Sequence, residues 1–207
     1  MSGQTVAAVA LGLSLAVAVP AYGDVIGTSG ADTITGTNAS NWIEGRDGDD
    51  LLRGLGGDDY LFGGRGADTI VAGIGPDFMN GGPGADELKG GLGRDRALGL
   101  DGRDTLVGGP RADQLWGDDQ ADGLYGGDAN DQLWGNHGAD WLVPGRGRDD
   151  VRGGHGADFI VIAVDGARDH ITCGKGNDTL NYADVGTDEE SVDPSDDLVG
   201  CEVLLVK

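Results

Sequence analysis

The sequence predicts an all-β solenoid of very short strands. Three observations carry that expectation: a nine-residue repeat without insertions, a glycine content that excludes helix, and one apolar residue at a fixed place in each repeat. From Gly27 to Val161 the chain divides into fifteen consecutive nonapeptides. Their first position is Gly in all but two, which have Ala72 and Pro144. Their sixth is Asp in all but the second, which has Asn41. Their eighth is always apolar, from Ile34, Ile43 and Leu52 to Leu142, Val151 and Ile160. With mostly different chemistry at positions seven and nine, that eighth residue gives the period-two alternation of a short strand burying one side chain. The six residues before it, as in Gly63-Gly64-Arg65-Gly66-Ala67-Asp68, predict a turn. Its glycines permit positive φ and a close approach of the backbone to an ion.

Composition narrows the partners. With 42 Gly, a formal charge of -22 and 5% aromatic residues in 207, the chain lacks the apolar content of an ordinary core. Such a chain stays disordered unless strict periodicity or a bound ligand organises it. Its 14 basic residues are scattered among 36 acids, which excludes nucleic acid and leaves cations as the natural partner.

The repeats resemble the RTX nonapeptide, G-G-x-G-x-D-x-U-x, of hemolysin-type calcium-binding proteins, here in a short exported bacterial form. The resemblance covers about two thirds of the chain. It implies a right-handed parallel β-roll, a two-sheet solenoid with two nonapeptides per coil and calcium held between turns one coil apart. Carried over, Asp32, Asp50, Asp68, Asp86, Asp104, Asp122, Asp140 and Asp158 line one edge. Asn41, Asp59, Asp77, Asp95, Asp113, Asp131 and Asp149 line the other.

Calcium prefers about six to eight hard oxygen ligands, which Gly-rich turns supply as carbonyls and a carboxylate; transition metals would call for His or Cys in number. The expected ligands are the Asp residues of both edges, with Asp178 from a degenerate repeat, but without Asp113 and Asp131. Those two are set aside because their repeats carry Arg111 and Ala129 at position four, where positive φ would be strained. Ala39 and Gln120 raise the same conflict, and Asn41 lacks a charge. Strong sites are expected in repeats three to nine and thirteen to fifteen. Several calcium ions would offset the stacked carboxylates and couple binding to folding.

Outside the repeats, residues 1–23 resemble a secretory signal peptide: Val6 to Pro20 is apolar apart from Ser14 and Gly12, and ends in Ala21-Tyr22-Gly23. That stretch is shorter than the about 20 residues that span a bilayer, so no stable membrane span is expected. Met1 to Gln4 has no Lys or Arg, a departure from such signals. The roll is expected over 24–161, and degenerate repeats with a cap over 162–207, closed by Val203-Leu204-Leu205-Val206. Cys173 and Cys201 suit one disulfide in an exported chain.

Several features compete for a functional reading. Trp42, Tyr60 and Phe78 at position seven, with Trp116 and Trp134 at position nine, would stack with an 18-residue coil period. They suit cross-strand packing, or an outer face for a cell-surface glycan or a protein. His137 and His155 share position three of one edge, where tolerated surface residues are expected. No H-E-x-x-H or G-x-S-x-G occurs, so no enzyme is expected. The leading expectation is calcium binding that switches folding in an extracellular protein; the rival is a calcium-rigidified adhesin or polysaccharide-binding module.

Overall fold

Most repeats begin a strand at position seven and carry it through position three of the next repeat, as in Trp42–Asp47, Leu51–Gly56 and Tyr60–Arg65. The strands are therefore longer than the short strand with one buried side chain that the sequence suggested, since most bury two positions. Within each, position eight and the following position one face inward, as Ile43 and Gly45 do in Trp42–Asp47. The position-one glycines are not turn residues, since none has positive φ. They are required by close approach: a Cβ on Gly45 would lie 2.6 Å from the carbonyl oxygen of Gly63 and would strike the Asp50 carboxylate. A side chain there would separate the turn from its neighbour.

The structure, a computed structural model, describes residues 6–7, 16–18, 24–183 and 196–201. Among these, alternate strands join two parallel sheets of eleven and ten strands, so two nonapeptides complete one coil. The register advances by one coil at each pairing, as in Leu52↔Ile70, Ile70↔Leu88 and Leu88↔Leu106. Position eight thus stacks into two apolar columns that fill the space between the sheets. Val25, Ile43, Leu61 and Met79 begin one column, and Ile34, Leu52, Ile70 and Leu88 the other, all essentially inaccessible to solvent. Turns of odd-numbered repeats form one edge, here the odd edge, and those of even-numbered repeats the even edge.

Past the repeats the coil lengthens without losing register. Val151 pairs with Ile171 and Ile160 with Leu180, each after a two-residue excess. The strand Asp197–Val199 then pairs with His170, Ile171 and Thr172 and ends the first sheet among the described residues. The Cys173–Cys201 disulfide, with Cα atoms 5.1 Å apart, fastens it. The closing strand expected at 203–206 lies outside the described residues. At the other end, Val6–Ala7 pairs with Val25 and Ile26, and Ala16–Ala18 with Thr33, Ile34 and Thr35. Among the described residues no helix is long and apolar enough to cross a membrane.

Leu106 sits in mid-column with no exposure, between Leu88 and Leu124. Leu106→Ala should lower stability by about 2 to 5 kcal/mol, read as a lower urea midpoint in saturating calcium. An unchanged midpoint would show that the columns do not hold the sheets together.

Candidate metal centre

At both edges the position-six carboxylates form continuous ladders. The backbone N–H of each Asp donates to Oδ1 of the Asp one coil further on, over 2.7 to 3.0 Å. The odd ladder runs from Asp32 through Asp50, Asp68, Asp86, Asp104, Asp122, Asp140 and Asp158 to Asp178. The even ladder runs from Asn41 through Asp59, Asp77, Asp95, Asp113, Asp131 and Asp149 to Asp169, whose N–H donates to Asp196 Oδ1. Position-six carbonyls accept from the position-seven N–H of the next coil, as Asp50 does from Thr69 at 2.8 Å. Asp fits because its short side chain spans one inter-coil gap. The two edges anticipated from the repeat are both present, and they include Asp113 and Asp131 in the same geometry as the rest. Asp169 is a further buried member that sequence reasoning missed, because the coil is two residues longer there.

The second oxygen of these carboxylates decides the chemistry. From Asp50 to Asp158, every ladder Asp has a buried Oδ2 with no hydrogen-bond partner. A buried anionic oxygen left without a donor is costly, and a rank of them stacked at one-coil spacing adds repulsion. Burial, reinforced by neighbouring Asp charges and opposed by the backbone hydrogen bond, pushes the Asp122 and Asp131 carboxyls up to about 8. It pushes Asp77, Asp86, Asp113 and Asp169 to about 7, the last two Coulombically through Asp95 and Asp149 among others. In Asp50, Asp59, Asp95, Asp104, Asp140, Asp149 and Asp158 the carboxyl rises to about 6, and in Asp68 it is also raised. Without a counter-ion, these groups hold the proton to higher pH than an ordinary carboxyl does.

Backbone handedness separates the end repeats from the interior. In repeats one and two, the position-two amides of Thr28 and Thr37 donate to Asp32 Oδ2 and Asn41 Oδ1, at 2.6 and 2.7 Å. In every later repeat position two is left-handed and makes no such bond, which leaves Oδ2 free. Asp32 therefore differs from the other ligands expected on the odd edge. Gly serves at position two in most of these repeats, but Arg46, Leu55, Leu100, Asp118 and Asn136 hold the same conformation at φ of 90°, 80°, 80°, 76° and 71°. That requirement was not visible in the residue types.

Position four follows expectation in part. Gln120 and Ala129 have positive φ of 80° and 84°, the strain foreseen, but Ala39 and Arg111 do not. The turns there are also less well tied. Position-four N–H groups donate to the next coil's position-three carbonyl at Gly48, Gly57, Gly66, Gly75, Gly84, Gly138 and Gly156, and at Gly102 over a long 3.4 Å. Gly93, Arg111, Gln120 and Ala129 make no such bond among the described residues. The missing bonds cover the stretch expected to be weak but also reach Gly93 and Gly147 in repeats expected to be strong, Gly147 N–H donating instead to Asp165 Oδ2, and the carboxylates remain in line throughout.

These rows suit a hard divalent cation. No cluster of three or more His, Cys, Asp or Glu side chains among the described residues is placed to hold a metal. An ion would therefore draw on backbone oxygen as well as carboxylate. Such oxygen is at hand: position-four carbonyl oxygens, as at Gly48 and Gly66, lie where a Cβ on the next position four, Gly66 or Gly84, would fall. They take no part in the described bonds between turns. Carbonyl and carboxylate oxygens in a flexible turn are calcium ligands by type and number.

The model of the RTX calcium-binding nonapeptide repeat matches residues 26–61, 62–97, 98–133, 121–151 and 134–161. The chain belongs to the RTX calcium-binding nonapeptide repeat family. A search of curated proteins found no match. Calcium binding follows for the repeat region at the level of the family, whose repeats are structural rather than catalytic.

The remaining candidates stack along the RTX coil. Trp116 and Trp134 lie 4.5 Å apart at 3°, with the Arg96 guanidinium 5.5 Å from the Trp116 ring. Trp42 and Tyr60 stack at 5.7 Å, and Tyr60 and Phe78 follow at 6.0 Å. The Trp116 and Trp134 faces cover one another, which is cross-strand packing, whereas Trp42 and Tyr60 remain exposed. His137 and His155 stack at 5.2 Å on the exposed odd edge, and His137 Nδ1 lies 3.3 Å from Asp119 Oδ1.

Two outcomes are expected. Because the folded carboxyls sit above their ordinary 3.8, protons stabilise the cation-free roll; the contribution is complete below that value and is lost as pH rises through about 6 to 8. In chelator, strand circular dichroism should therefore grow as pH falls from about 8 to about 4, while calcium affinity weakens over the same window. A chelated spectrum unchanged with pH would contradict buried, unneutralised carboxylates. Separately, Leu55→Gly and Leu100→Gly should each raise the urea midpoint, by relieving about 1 kcal/mol of left-handed strain; a lower midpoint would mean that side-chain packing outweighs the strain.

Proposed function

We propose that this chain is an extracellular calcium-binding roll whose folding is switched by the ion, and that it has no catalytic role. One observation carries the reading. Thirteen consecutive ladder carboxylates, Asp50 to Asp158, each keep a buried oxygen without a donor, an arrangement that cation-free protein meets only by taking up protons or by opening. Several calcium ions, held by these carboxylates together with turn carbonyls, would neutralise both ranks. Where calcium is scarce the chain is unfolded; at extracellular, roughly millimolar levels it folds, the range of weak extracellular modules. The sites centre on Asp50, Asp59, Asp68, Asp77, Asp86, Asp95, Asp104, Asp122, Asp140, Asp149 and Asp158, with Asp32 and Asp178 as the end members.

Export supports this reading. Residues 1–23 have the composition of a cleavable signal, and their removal would take away no ladder carboxylate, because the first is Asp32. The disulfide at Cys173 and Cys201 suits an oxidising compartment. The rival, an adhesin using its aromatic face, would rest on the exposed Trp42 and Tyr60, which no observation ties to a partner.

Far-UV circular dichroism during a calcium titration tests the switch. Little strand signal in chelator at neutral pH, and a cooperative rise with calcium, is the expected result; a complete strand spectrum in chelator would end the folding-switch reading. Asp86→Asn, in the middle of the odd ladder, should shift the midpoint to at least about threefold higher calcium, through loss of a charged ligand. A shift no larger than that of Asp58→Asn, a turn residue outside the ladders, would remove the position-six carboxylates from the site.

A further inference from the structure

The strand Asp197–Val199 does the work of a whole turn. Asp169 N–H donates to Asp196 Oδ1 at 3.0 Å, and Asp197 N–H donates to the Asp169 carbonyl at 2.8 Å. Those are the two bonds that join successive turns along the even ladder. Asp169 is itself buried and accepts the Asp149 N–H at 2.8 Å. Without this strand the Asp169 N–H and carbonyl would lose their partners, and the sheet edge at His170–Lys175 would open.

Yet the strand has little to hold it by its own means. It has three residues, one half-buried apolar side chain, Leu198, and an exposed contact of His170 Nδ1 with Asp197 Oδ2 at 3.1 Å. Between Cys173 and Cys201 the sequence carries eight acids and one basic residue, Lys175, so the segment repels itself as it closes. The disulfide removes that difficulty, and its place is specific. On this sheet position one is Gly in all eight odd-numbered repeats, Gly27 to Gly153, because a Cβ there would strike the carboxylate of its own turn. Cys173 takes the next place in the row, between the paired Thr172 and Gly174. It is fully buried, and its sulfur is bonded to Cys201 of the last segment.

We propose, on the folding-switch reading, that oxidation of this pair is a second condition for folding: the disulfide delivers Asp196 and Asp197 to the end of the even ladder. In the thiol form the ladder stops at an open turn, and more calcium is needed to fold the roll. The exchange is balanced by a dithiol, which gives two electrons and two protons to the bond, leaves Cys173 and Cys201 as thiols, and becomes a disulfide itself. Linkage makes the effect reciprocal. An oxidation that lowers the calcium requirement obliges calcium to make the disulfide harder to reduce. The chain then stays open in a reducing compartment at calcium levels that fold it in an oxidising one.

Calcium titrations by far-UV circular dichroism, on the oxidised chain and on the same chain held in dithiothreitol, test the proposal. The reduced midpoint should lie at least about threefold higher in calcium. Asp196→Ala should raise the oxidised midpoint at least about twofold and move the reduced one much less, because only the linked strand presents Asp196 to the ladder. Equal midpoints in the two redox states would overturn the proposal, and so would an Asp196→Ala shift of the same size in both, which is the outcome for a disulfide that merely restricts the unfolded chain. On unaltered protein, in a dithiothreitol buffer that leaves about a tenth of the chain oxidised in chelator, calcium should raise the ratio of disulfide to thiol at least about threefold; an unmoved ratio would also overturn it. An oxidised chain with no calcium transition would end the folding-switch reading instead. The clamp is then judged by the urea midpoint, which should fall on reduction and thereafter respond less to Asp196→Ala; a midpoint indifferent to reduction would overturn it.

Discussion

Everything in this fold is organised by a single reach: the Asp side chain that spans one inter-coil gap to accept the backbone N–H of the turn before it. That bond sets the coil spacing at the edges, as the strand ladders set it on the faces. It also fixes where the carboxylate lies, buried against a glycine with one oxygen engaged. The glycine at position one is the counterpart of this reach, since any Cβ there would occupy the place of the Asp50 Oδ2 or its equivalents. Core, edge and charge problem therefore have a common origin in nine residues. A solenoid of this kind gains core in proportion to its coils, and it accumulates buried negative charge in the same proportion.

The charge problem explains why composition and fold are compatible at all. A chain so rich in glycine and acid has little apolar surface to bury, and its columns of single aliphatic side chains are narrow. In most proteins a buried, unpartnered carboxylate marks a catalytic or switching site. Here it is distributed along two edges, so the whole length of the roll responds to the same ion. Among the described residues, the position-four bonds between turns are missing from Gly93 to Gly147 on the even edge but only at Gln120 between Gly48 and Gly156 on the odd edge, so the two edges are unequally tied.

Much of this could be read from residues alone. The repeat gave the inward row, the two carboxylate edges and the coil period, because each depends on periodicity and residue type. The pairing of Cys173 with Cys201 was equally legible, from there being only two cysteines in a chain of exported character. Other features were hidden for physical reasons. Leu55 and Leu100 adopt a left-handed conformation that leucine avoids, and only neighbours on both sides impose it. Glycine at position one looked like turn chemistry but is steric, which is why the strands were judged too short. The distinct states of Asp32 and Asn41 depend on the direction of the Thr28 and Thr37 amides, a property of backbone rotation that no residue name encodes.

The alternation of repeats between two sheets also limits how such a chain changes in length. Adding or deleting eighteen residues would leave each remaining side chain on its own face and edge, with neighbours of the same kind. A change of nine would exchange the faces of everything downstream. Tryptophans that lie over one sheet would move to the other, and arginines that share a corner would be divided between two. The inner columns would not register the difference, because both sheets present the same apolar position to the core. A protein of this design is free to vary by whole coils, while its outer surfaces record every half coil.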